Sequence, residues 1–226
     1  MTHSRDTWLK VTQAHQAEPF TLGPVNSGSW LRDPRHLGFM LARYKFAAKM
    51  LWRCNSILEV GCGEGLGSLL LARDTPARLL GVDFDEAQIR YAQEHVAPHG
   101  QGRLRFACGD LAEQVQDSGP FDGLLCLDVI EHVAPAAEAG FLQHCVAGLT
   151  PGAVAIFGTP NLAAQAHASL PSRLGHINLF DADRFASTLE GHFDHVFPFS
   201  MNDEVVHTGY AKMAHYLLAL CVGRRT

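Results

Sequence analysis

The sequence predicts an α/β fold in which helices cover both faces of a mostly parallel sheet. Short, nearly continuous apolar runs alternate with segments of helical periodicity between residues 56 and 158, as expected for buried parallel strands. Two further strands flank the turn segment MNDEVVHTGYAKM near the end of the chain. That pair predicts a hairpin, so the last strand should be antiparallel.

The periodicity assigns seven strands, with helices between them. The strands are predicted at 56–60, 78–82, 103–108, 121–127, 152–158, 193–200 and 214–222. The helices are predicted at 65–73, 85–96, 111–117, 135–149 and 181–190. Residues 160–180 show no clear period, and a connection of that length inside a compact domain is more often functional than idle.

The N-terminal segment differs from the rest of the chain. Residues 1–28 are polar and irregular in pattern, whereas apolar residues recur at three- and four-residue steps from Leu37 to Leu51. This spacing predicts a helix over 35–52, with Pro34 suited to its first turn. We expect residues 1–52 to form an extension and a lid helix, and residues 53–226 to form a single globular unit.

Composition argues against several kinds of partner. The 226 residues carry a formal net charge of −5, which gives no electrostatic footprint for a long nucleic acid. The six cysteines form no C-x-x-C pair, and the longest apolar stretch near the C-terminus, 216–222, is too short for a bilayer. We expect a cytoplasmic protein without a membrane or long nucleic-acid partner, and its oligomeric state stays open.

A glycine-rich loop follows the first predicted strand. Strand 56–60 runs into Glu59-Val60-Gly61-Cys62-Gly63-Glu64-Gly65, and a helix comes next. These glycines let the backbone turn tightly and approach a ligand. The dinucleotide spacing G-x-G-x-x-G fails, because the sixth position is Leu66 or Ser68. A nicotinamide-dependent oxidoreductase is therefore disfavoured.

Acidic residues follow the next strands at the same edge of the predicted sheet. Asp83 lies 22 residues after Gly61, where a carboxylate can accept both hydroxyls of an adenosine ribose. Asp110, in the segment CGDL, can accept from the adenine amino group. The fourth strand ends in the segment LDVIEH at 127–132, and LTPG at 149–152 precedes the fifth strand.

Together, these motifs resemble those of class I S-adenosylmethionine (SAM)-dependent methyltransferases over roughly residues 55–160. The resemblance implies a Rossmann-like domain, SAM as cofactor and S-adenosylhomocysteine (SAH) as product. It implies cofactor contacts from Glu59, Gly61, Cys62, Gly63, Asp83, Phe84, Gly109, Asp110, Leu111, Leu127 and Asp128. Cys62 has no adjacent base in the sequence, so we interpret it as a small filler and not as a nucleophile.

The acceptor side is predicted from polar residues in loops at the same edge. His132 is a candidate general base, because a histidine titrates near neutral pH. The predicted catalytic residues are His132, His176 and His207, and the predicted substrate contacts are Trp30, Tyr44, Asn161, Asn202 and Tyr210. Tyr44 also falls on an apolar helix stripe, which favours packing, and a solvated turn is the alternative for the hairpin residues.

The principal interpretation of the site includes no metal. The alternative is a divalent ion held by Glu131, His132 and His176. Small-RNA 3′-end 2′-O-methyltransferases use a Glu-x-x-Glu-His segment with a distant histidine, and some ubiquinone-pathway O-methyltransferases have a similar Glu-His segment. In this chain Asp128 stands where the first of those glutamates would be.

The function predicted is methylation at oxygen or nitrogen of a small molecule, such as a sugar, a nucleotide sugar or a natural-product intermediate. The alternatives are a metal-assisted RNA ribose 2′-O-methyltransferase and a catalytically silent partner subunit with the same fold. The presence of Glu59, Gly61, Gly63, Asp83 and Asp110 argues against the silent subunit.

Overall fold

A computed structural model describes residues 2–225 and contains one eight-stranded sheet with the order β3-β2-β1-β4-β5-β8-β6-β7. The strands are β1 (Ser56–Val60), β2 (Arg78–Asp83), β3 (Leu104–Cys108), β4 (Phe121–Leu127), β5 (Leu149–Pro160), β6 (Phe193–Asn202), β7 (Val205–His207) and β8 (Tyr216–Arg224). Strands β1 to β5 pair in parallel, and β8 lies antiparallel between β5 and β6. The mostly parallel sheet and its antiparallel last strand are confirmed.

The predicted count of seven strands was one too few. Strand β7 lies inside the segment predicted as a turn, where it pairs with the end of β6 through Met201↔Val206 and Asn202↔Val205. Only Asp203 and Glu204 connect the two strands, and Asp203 adopts a left-handed φ of 49°, as tight hairpins require. A three-residue strand is too short to produce an alternating pattern in the sequence.

Nine α-helices are present within residues 2–225. They are α1 (Thr2–Ala14), α2 (Pro24–Arg32), α3 (Arg35–Met50), α4 (Leu66–Asp74), α5 (Glu86–Tyr91), α6 (Leu111–Ser118), α7 (Glu138–Ala147), α8 (Leu170–Gly175) and α9 (Ala182–Glu190). Helix α5 continues as a π-helical turn, Ala92–Val96, so the predicted helix 85–96 is confirmed as two kinds of helix.

Two segments without a clear sequence period contain helices. The prediction that residues 1–28 are irregular was wrong, because α1 and the start of α2 lie there. Helix α2 begins at Pro24 and is fixed by a distant side chain, Glu64, which no local pattern reveals. In the 160–180 connection, a 3₁₀ helix at Leu162–His167 and the short α8 are capped by Asn161 and Ser169.

Helices cover both faces of the sheet, as predicted. One face packs against α6, α7 and α9 through buried residues such as Val115, Leu142 and Phe185. The other face packs against α3, α4 and α5 through residues such as Ala47 and Leu71. None of the helices within residues 2–225 is long and apolar enough to cross a membrane.

The contact between α3 and α4 depends on the absence of a side chain at Gly67. A Cβ atom there would lie 2.1 Å from Cζ of Tyr44, whose ring is buried. The Tyr44 ring of α3 therefore packs directly on the backbone of α4. Tyr44 and its neighbour Arg43 thereby reach the ends of the central strands.

We predict that Gly67→Ala lowers the free energy of unfolding by ~1–3 kcal/mol, since the methyl group must displace a buried ring. The matched control is Gly140→Ala in α7, where a Cβ atom meets nothing within 4 Å. That substitution should be neutral or stabilise by up to ~1 kcal/mol, the helix-propensity difference. Urea unfolding measures both, and equal effects would contradict this packing role for Gly67.

Candidate active site

A cleft of about 760 Å³ opens at the carboxyl ends of the central strands. Parallel strands β2, β1, β4 and β5 end there, and the chain reverses its strand order between β1 and β4. This is the position at which open α/β sheets bind ligands. The walls come from α2, α3, the loops after β1 and β4, the 160–176 segment and the start of β8.

The glycine loop forms the floor of the cleft in a conformation that only glycine adopts without strain. Gly61 has a φ of 76°, and a Cβ atom there would lie 2.2 Å from Cγ2 of Val129. Gly63 has a φ of 53°. The loop therefore passes close beneath the open space with backbone exposed to a ligand.

Asp83, at the end of β2, lies beside this loop and lines the cleft. Its Oδ2 accepts from the backbone N–H of Gly63 at 2.9 Å, and its Oδ1 accepts from the N–H of Asp85 at 3.0 Å. These bonds fix the direction of the carboxylate. Each oxygen keeps acceptor capacity for a ligand hydroxyl.

The predicted adenine contacts lie beyond the cleft. Among the predicted cofactor residues, Phe84, Gly109, Asp110 and Leu111 do not line it. The Phe84 side chain is 89% exposed, and Asp110 caps α6 by accepting from the N–H of Ala112 at 2.7 Å. The N–H of Gly109 donates to the carbonyl of Asp83, so these residues continue the same sheet edge toward β3.

Behind the glycine loop, Glu59 is fully enclosed. Its Oε1 accepts from the Tyr44 hydroxyl at 2.7 Å, and its side chain is 1% exposed. Burial raises the pKa of Glu59 to about 7, although the hydrogen bond from Tyr44 offsets part of the rise. The predicted cofactor contact Glu59 therefore supports the loop from below and does not line the cleft, and Tyr44 lines it while bonded to Glu59.

Glu64 joins the glycine loop to helix α2. Its carboxylate accepts from the N–H groups of Val25 and Asn26 at 2.7 and 2.9 Å, and from Nδ2 of Asn26 at 2.7 Å. Because the first N–H groups of a helix lack partners within the helix, this carboxylate caps α2. The α2 residues Val25, Asn26 and Ser29 consequently form one wall of the cleft.

An ion pair between the buried Arg43 and the half-buried Asp128 lines the cleft. Nη1 of Arg43 donates to Oδ2 of Asp128 at 2.6 Å, and the guanidinium lies 3.7 Å from the centre of the Tyr216 ring. Asp128 has a left-handed φ of 56°, a conformation that aspartate tolerates better than most residues. The pair and the stacked ring thus hold the Asp128 side chain in place.

Next to the ion pair, Glu131, His132 and His176 bring one ligand atom each to within 4.8 Å of one another. Nδ1 of His132 lies 2.9 Å from the carbonyl of Gly175, so Nδ1 carries the proton and Nε2 is the basic nitrogen. Glu131 is 0% exposed and accepts from the Thr159 hydroxyl. Burial and the neighbouring Asp128 carboxylate raise the pKa of Glu131 well above its usual range, whereas burial and His132 lower the pKa of His176.

The cleft contains buried polar atoms that have no hydrogen-bond partner within the described part of the chain. They are Nε of Arg43, Oε1 of Glu131, Nδ1 of His176, Nε2 of His215 and the hydroxyl of Tyr216. Buried polar groups rarely stay unpaired. The residues that carry these atoms all line the cleft, so this wall is polar.

The structure brings together some predicted acceptor residues and separates others. His132, His176, Tyr44 and Asn161 line the cleft, whereas Trp30, Asn202, His207 and Tyr210 do not. The Asn161 amide donates to the carbonyls of Ala211 and Ala214 and accepts from Ala163, so it ties the 211–214 turn to β5.

In the hairpin, His207 bonds to Asn202 through Nε2 and accepts from the N–H of Gly209 through Nδ1. Asn202 also donates to the carbonyl of Met213. Tyr210 is 65% exposed and Trp30 is 50% exposed. These contacts order the hairpin, and the catalytic and substrate roles of its residues stay predictions.

The sequence places Arg43 on the predicted lid helix as a candidate site residue but does not reveal its partner, and it does not assign Glu64 or His215 to the site. Arg43 lies next to Tyr44 on the helix, and its partner Asp128 is 85 residues away. The sequence places Glu64 in the glycine loop, but its hydrogen-bond partners in α2 lie 38 and 39 residues earlier.

Comparison with known proteins identifies the central region. Residues 57–152 match the sequence model of a family described as a methyltransferase domain. Residues 57–152 are thus similar to a methyltransferase domain.

Sequence relatives match this chain over only part of their own length. A probable SAM-dependent methyltransferase from Mycolicibacterium smegmatis is 34% identical over 115 residues, which are 50% of this chain and 42% of that protein. A ubiquinone biosynthesis O-methyltransferase from Maricaulis maris is 35% identical over 142 residues, 60% of this chain and 54% of that protein. The chain thus spans about half the length of the relatives it matches.

Solved structures of methyltransferases share the fold of this chain at low sequence identity. The plantazolicin methyltransferase BpumL, in complex with SAH and a monoazolic desmethylPZN analog, has a TM-score of 0.65 at 15% identity and covers 89% of each chain. The methyltransferase domain of bacterial CtHen1-C has a TM-score of 0.64 at 17% identity, covering 82% of this chain and 99% of that one.

We predict a pH-dependent stability that originates at Glu59. Its pKa is about 7 in the folded protein and about 4.3 in an unfolded chain. Its contribution is therefore fully present below about pH 4 and is lost as the pH rises through about 7. The loss amounts to about 3–4 kcal/mol at about 1.4 kcal/mol per unit of pKa difference.

Urea unfolding of the ligand-free protein between pH 5 and 8 measures this effect. The Glu59→Gln variant should lose less stability over the range than the parent protein. Glu131 adds a dependence of the same sign in both proteins, so their difference isolates Glu59. Parallel curves would show that Glu59 is already ionised at pH 5.

Proposed function

We propose that this protein transfers the methyl group of SAM to an oxygen or nitrogen atom of a small polar molecule. The observation that carries the proposal is one continuous cleft. It contains the glycine loop and Asp83 at one end, and Asp128, Glu131, His132 and His176 at the other. A cofactor compartment therefore opens directly onto a compartment with acid–base groups.

The residues present fit the cofactor. The left-handed glycines leave room for a ligand above the loop, and Asp83 presents a carboxylate oriented by two backbone N–H groups. We infer that Asp83 accepts the ribose hydroxyls and that Phe84 and Asp110 border the adenine along the edge toward β3. When bound, SAM supplies a methyl carbon activated by a sulfonium charge, so the protein chiefly provides position and electrostatics.

For a hydroxyl acceptor, His132 is the proposed base. Its Nε2 is basic because Nδ1 donates to the Gly175 carbonyl, and the ring is exposed at the cleft. Nε2 would accept the proton of the acceptor hydroxyl, while bound SAM would supply the methyl group and leave as SAH. The charges of Arg43 and Asp128 are already paired with each other.

The acceptor class follows from the dimensions and polarity of this compartment. Polar side chains of Arg43, Glu131, His176, His215 and Tyr216 line it, which favours a compact molecule with several hydroxyl or amino groups. A sugar, a nucleotide sugar or a polar natural-product intermediate fits that description. We further propose that residues 1–52 act as a lid on residues 53–226, since Glu64 holds α2 against the glycine loop.

Binding of the cofactor tests the first half of the proposal. Calorimetric titration with SAM and SAH should give micromolar affinity, and Asp83→Ala should weaken it by about 10- to 150-fold, the equivalent of ~1.5–3 kcal/mol for a charged hydrogen-bond partner. The control Asp85→Ala removes the α5 cap next to it and should leave affinity nearly unchanged. Absence of SAM binding by the parent protein would refute the proposed function.

A second candidate is that a divalent ion at Glu131, His132 and His176 assists the reaction. The specific observation is the 4.8 Å grouping together with unpartnered ligand atoms on Glu131 and His176. The bond from Nδ1 of His132 to a backbone carbonyl is the usual support of a metal-binding histidine. One carboxylate and two imidazoles suit zinc, iron or manganese. Such an ion lowers the pKa of an acceptor hydroxyl.

Turnover distinguishes the two candidates. SAH formation would be measured with a panel of hydroxyl- and amino-bearing sugars, nucleotide sugars and phenols, with and without EDTA. If His132 is the base, His132→Gln should lower kcat by ~10²–10⁴-fold with SAM affinity intact, and EDTA should have no effect. Loss of turnover in EDTA with recovery on adding Zn²⁺ or Mn²⁺ would instead favour the metal. SAM binding without turnover on any acceptor would favour a silent subunit.

A further inference from the structure

Three polar side chains behind His176 form a closed cluster of hydrogen bonds, here named the Asn178 cluster: Glu138, Asn178 and Arg184. Nδ2 of Asn178 donates to Oε2 of Glu138 at 2.8 Å, and Nη2 of Arg184 donates to Oδ1 of Asn178 at 2.8 Å. Arg184 also forms an ion pair with Glu138. Asn178 is only 2% exposed.

The cluster joins three separate elements. Glu138 is the first residue of α7, Arg184 lies in the first turn of α9, and Asn178 lies in the loop that connects α8 to α9. Arg184 also donates from Nη1 to the carbonyl of Leu179 at 2.7 Å, and its guanidinium lies 4.0 Å from the centre of the Phe180 ring. The loop is therefore pinned to two helices of the domain.

The same loop carries His176 and docks on the turn that carries Glu131 and His132. The N–H groups of Ile177 and Asn178 both donate to the carbonyl of Glu131, at 2.9 and 3.0 Å. From the other side, Nδ1 of His132 donates to the carbonyl of Gly175. The rings of His132 and His176 consequently meet edge to face, with centroids 5.1 Å apart.

We propose that Asn178 is a positioning residue, which together with Glu138 and Arg184 sets the placement of His176 against Glu131 and His132. Nδ1 of His176 has no hydrogen-bond partner among the described residues, so the placement of the ring depends on its contact with His132 and on the loop that carries it. The backbone hydrogen bonds attach the loop to the carbonyl of Glu131. The Asn178 cluster fixes the direction of the loop beyond that point. The proposal rests on the proposed role of Glu131, His132 and His176.

The test replaces the amide by a carboxylate. In Asn178→Asp at pH 8, two carboxylates face each other where Nδ2 of Asn178 now donates to Glu138, so the loop should move. The readout is the set of ring chemical shifts of His176 in histidine NMR spectra, which sense the neighbouring ring of His132. We expect them to move toward the values that His176 shows in His132→Gln, where that ring is absent.

Rescue separates positioning from a general loss of stability. In the double variant Asn178→Asp/Glu138→Gln, the new glutamine amide donates to the new aspartate, and the His176 shifts should return to those of the parent protein. The control Asn55→Asp makes the same change beside Asp122, to which Nδ2 of Asn55 donates at 3.0 Å. It should leave the His176 shifts unchanged.

A second readout uses Co²⁺ as the probe, followed by its visible absorption. If the parent protein binds Co²⁺ at this site, Asn178→Asp should weaken binding by ~10–100-fold, the usual effect of losing an outer partner of a metal site. If the parent protein binds no Co²⁺, the metal candidate fails and the ring shifts alone decide the positioning proposal.

Unchanged His176 shifts in folded Asn178→Asp would overturn the proposal. If that variant does not fold, Arg184→Lys takes its place. A lysine keeps the charge but cannot contact both Asn178 and Leu179 as the guanidinium does. Unchanged His176 shifts in folded Arg184→Lys would likewise overturn the proposal. Failure of SAM binding or turnover would count against the proposed function but would leave these shifts as they are, so the two failures are distinguishable.

Discussion

The arrangement of the site depends on a buried cation. Arg43 lies on α3, outside the methyltransferase core, yet its guanidinium stacks on Tyr216 of β8 and pairs with Asp128 after β4. A buried charge without a partner costs several kcal/mol, so α3 is fixed relative to two strands at once. Tyr44, one residue later, is thereby directed to Glu59 at the end of β1.

The two sides of the cleft differ in whether backbone or side chains form them. On the cofactor side, backbone geometry dominates: left-handed glycines, an oriented Asp83 and the capped start of α2 leave a shaped space with few free side chains. On the proposed acceptor side, side chains dominate, and several have polar atoms without a hydrogen-bond partner within residues 2–225. For the proposed methyl transfer, the rigid platform would hold the cofactor and the polar wall would discriminate among acceptors.

The sheet, its strand directions and the position of the glycine loop were predictable because they follow from periodicity and local turn chemistry. Asp83 and His132 were predictable for a related reason, since residues after parallel strands meet at one edge. By contrast, Arg43 with Asp128 and Glu64 with α2 are pairs formed across 38 or more residues. A single sequence has no local signal for such pairs, and a three-residue strand such as β7 produces no period.

The placement of β8 has a consequence for the order in which the protein assembles during synthesis. Strands β1 to β5 find their partners among one another. Strand β6, however, pairs with β8 and β7 only, both of which are made later. Until residues 216–224 leave the ribosome, β5 presents an open edge, a feature that invites mispairing. Tyr216 arrives with that strand, so the nascent chain holds Arg43 without its aromatic neighbour until the sheet is closed.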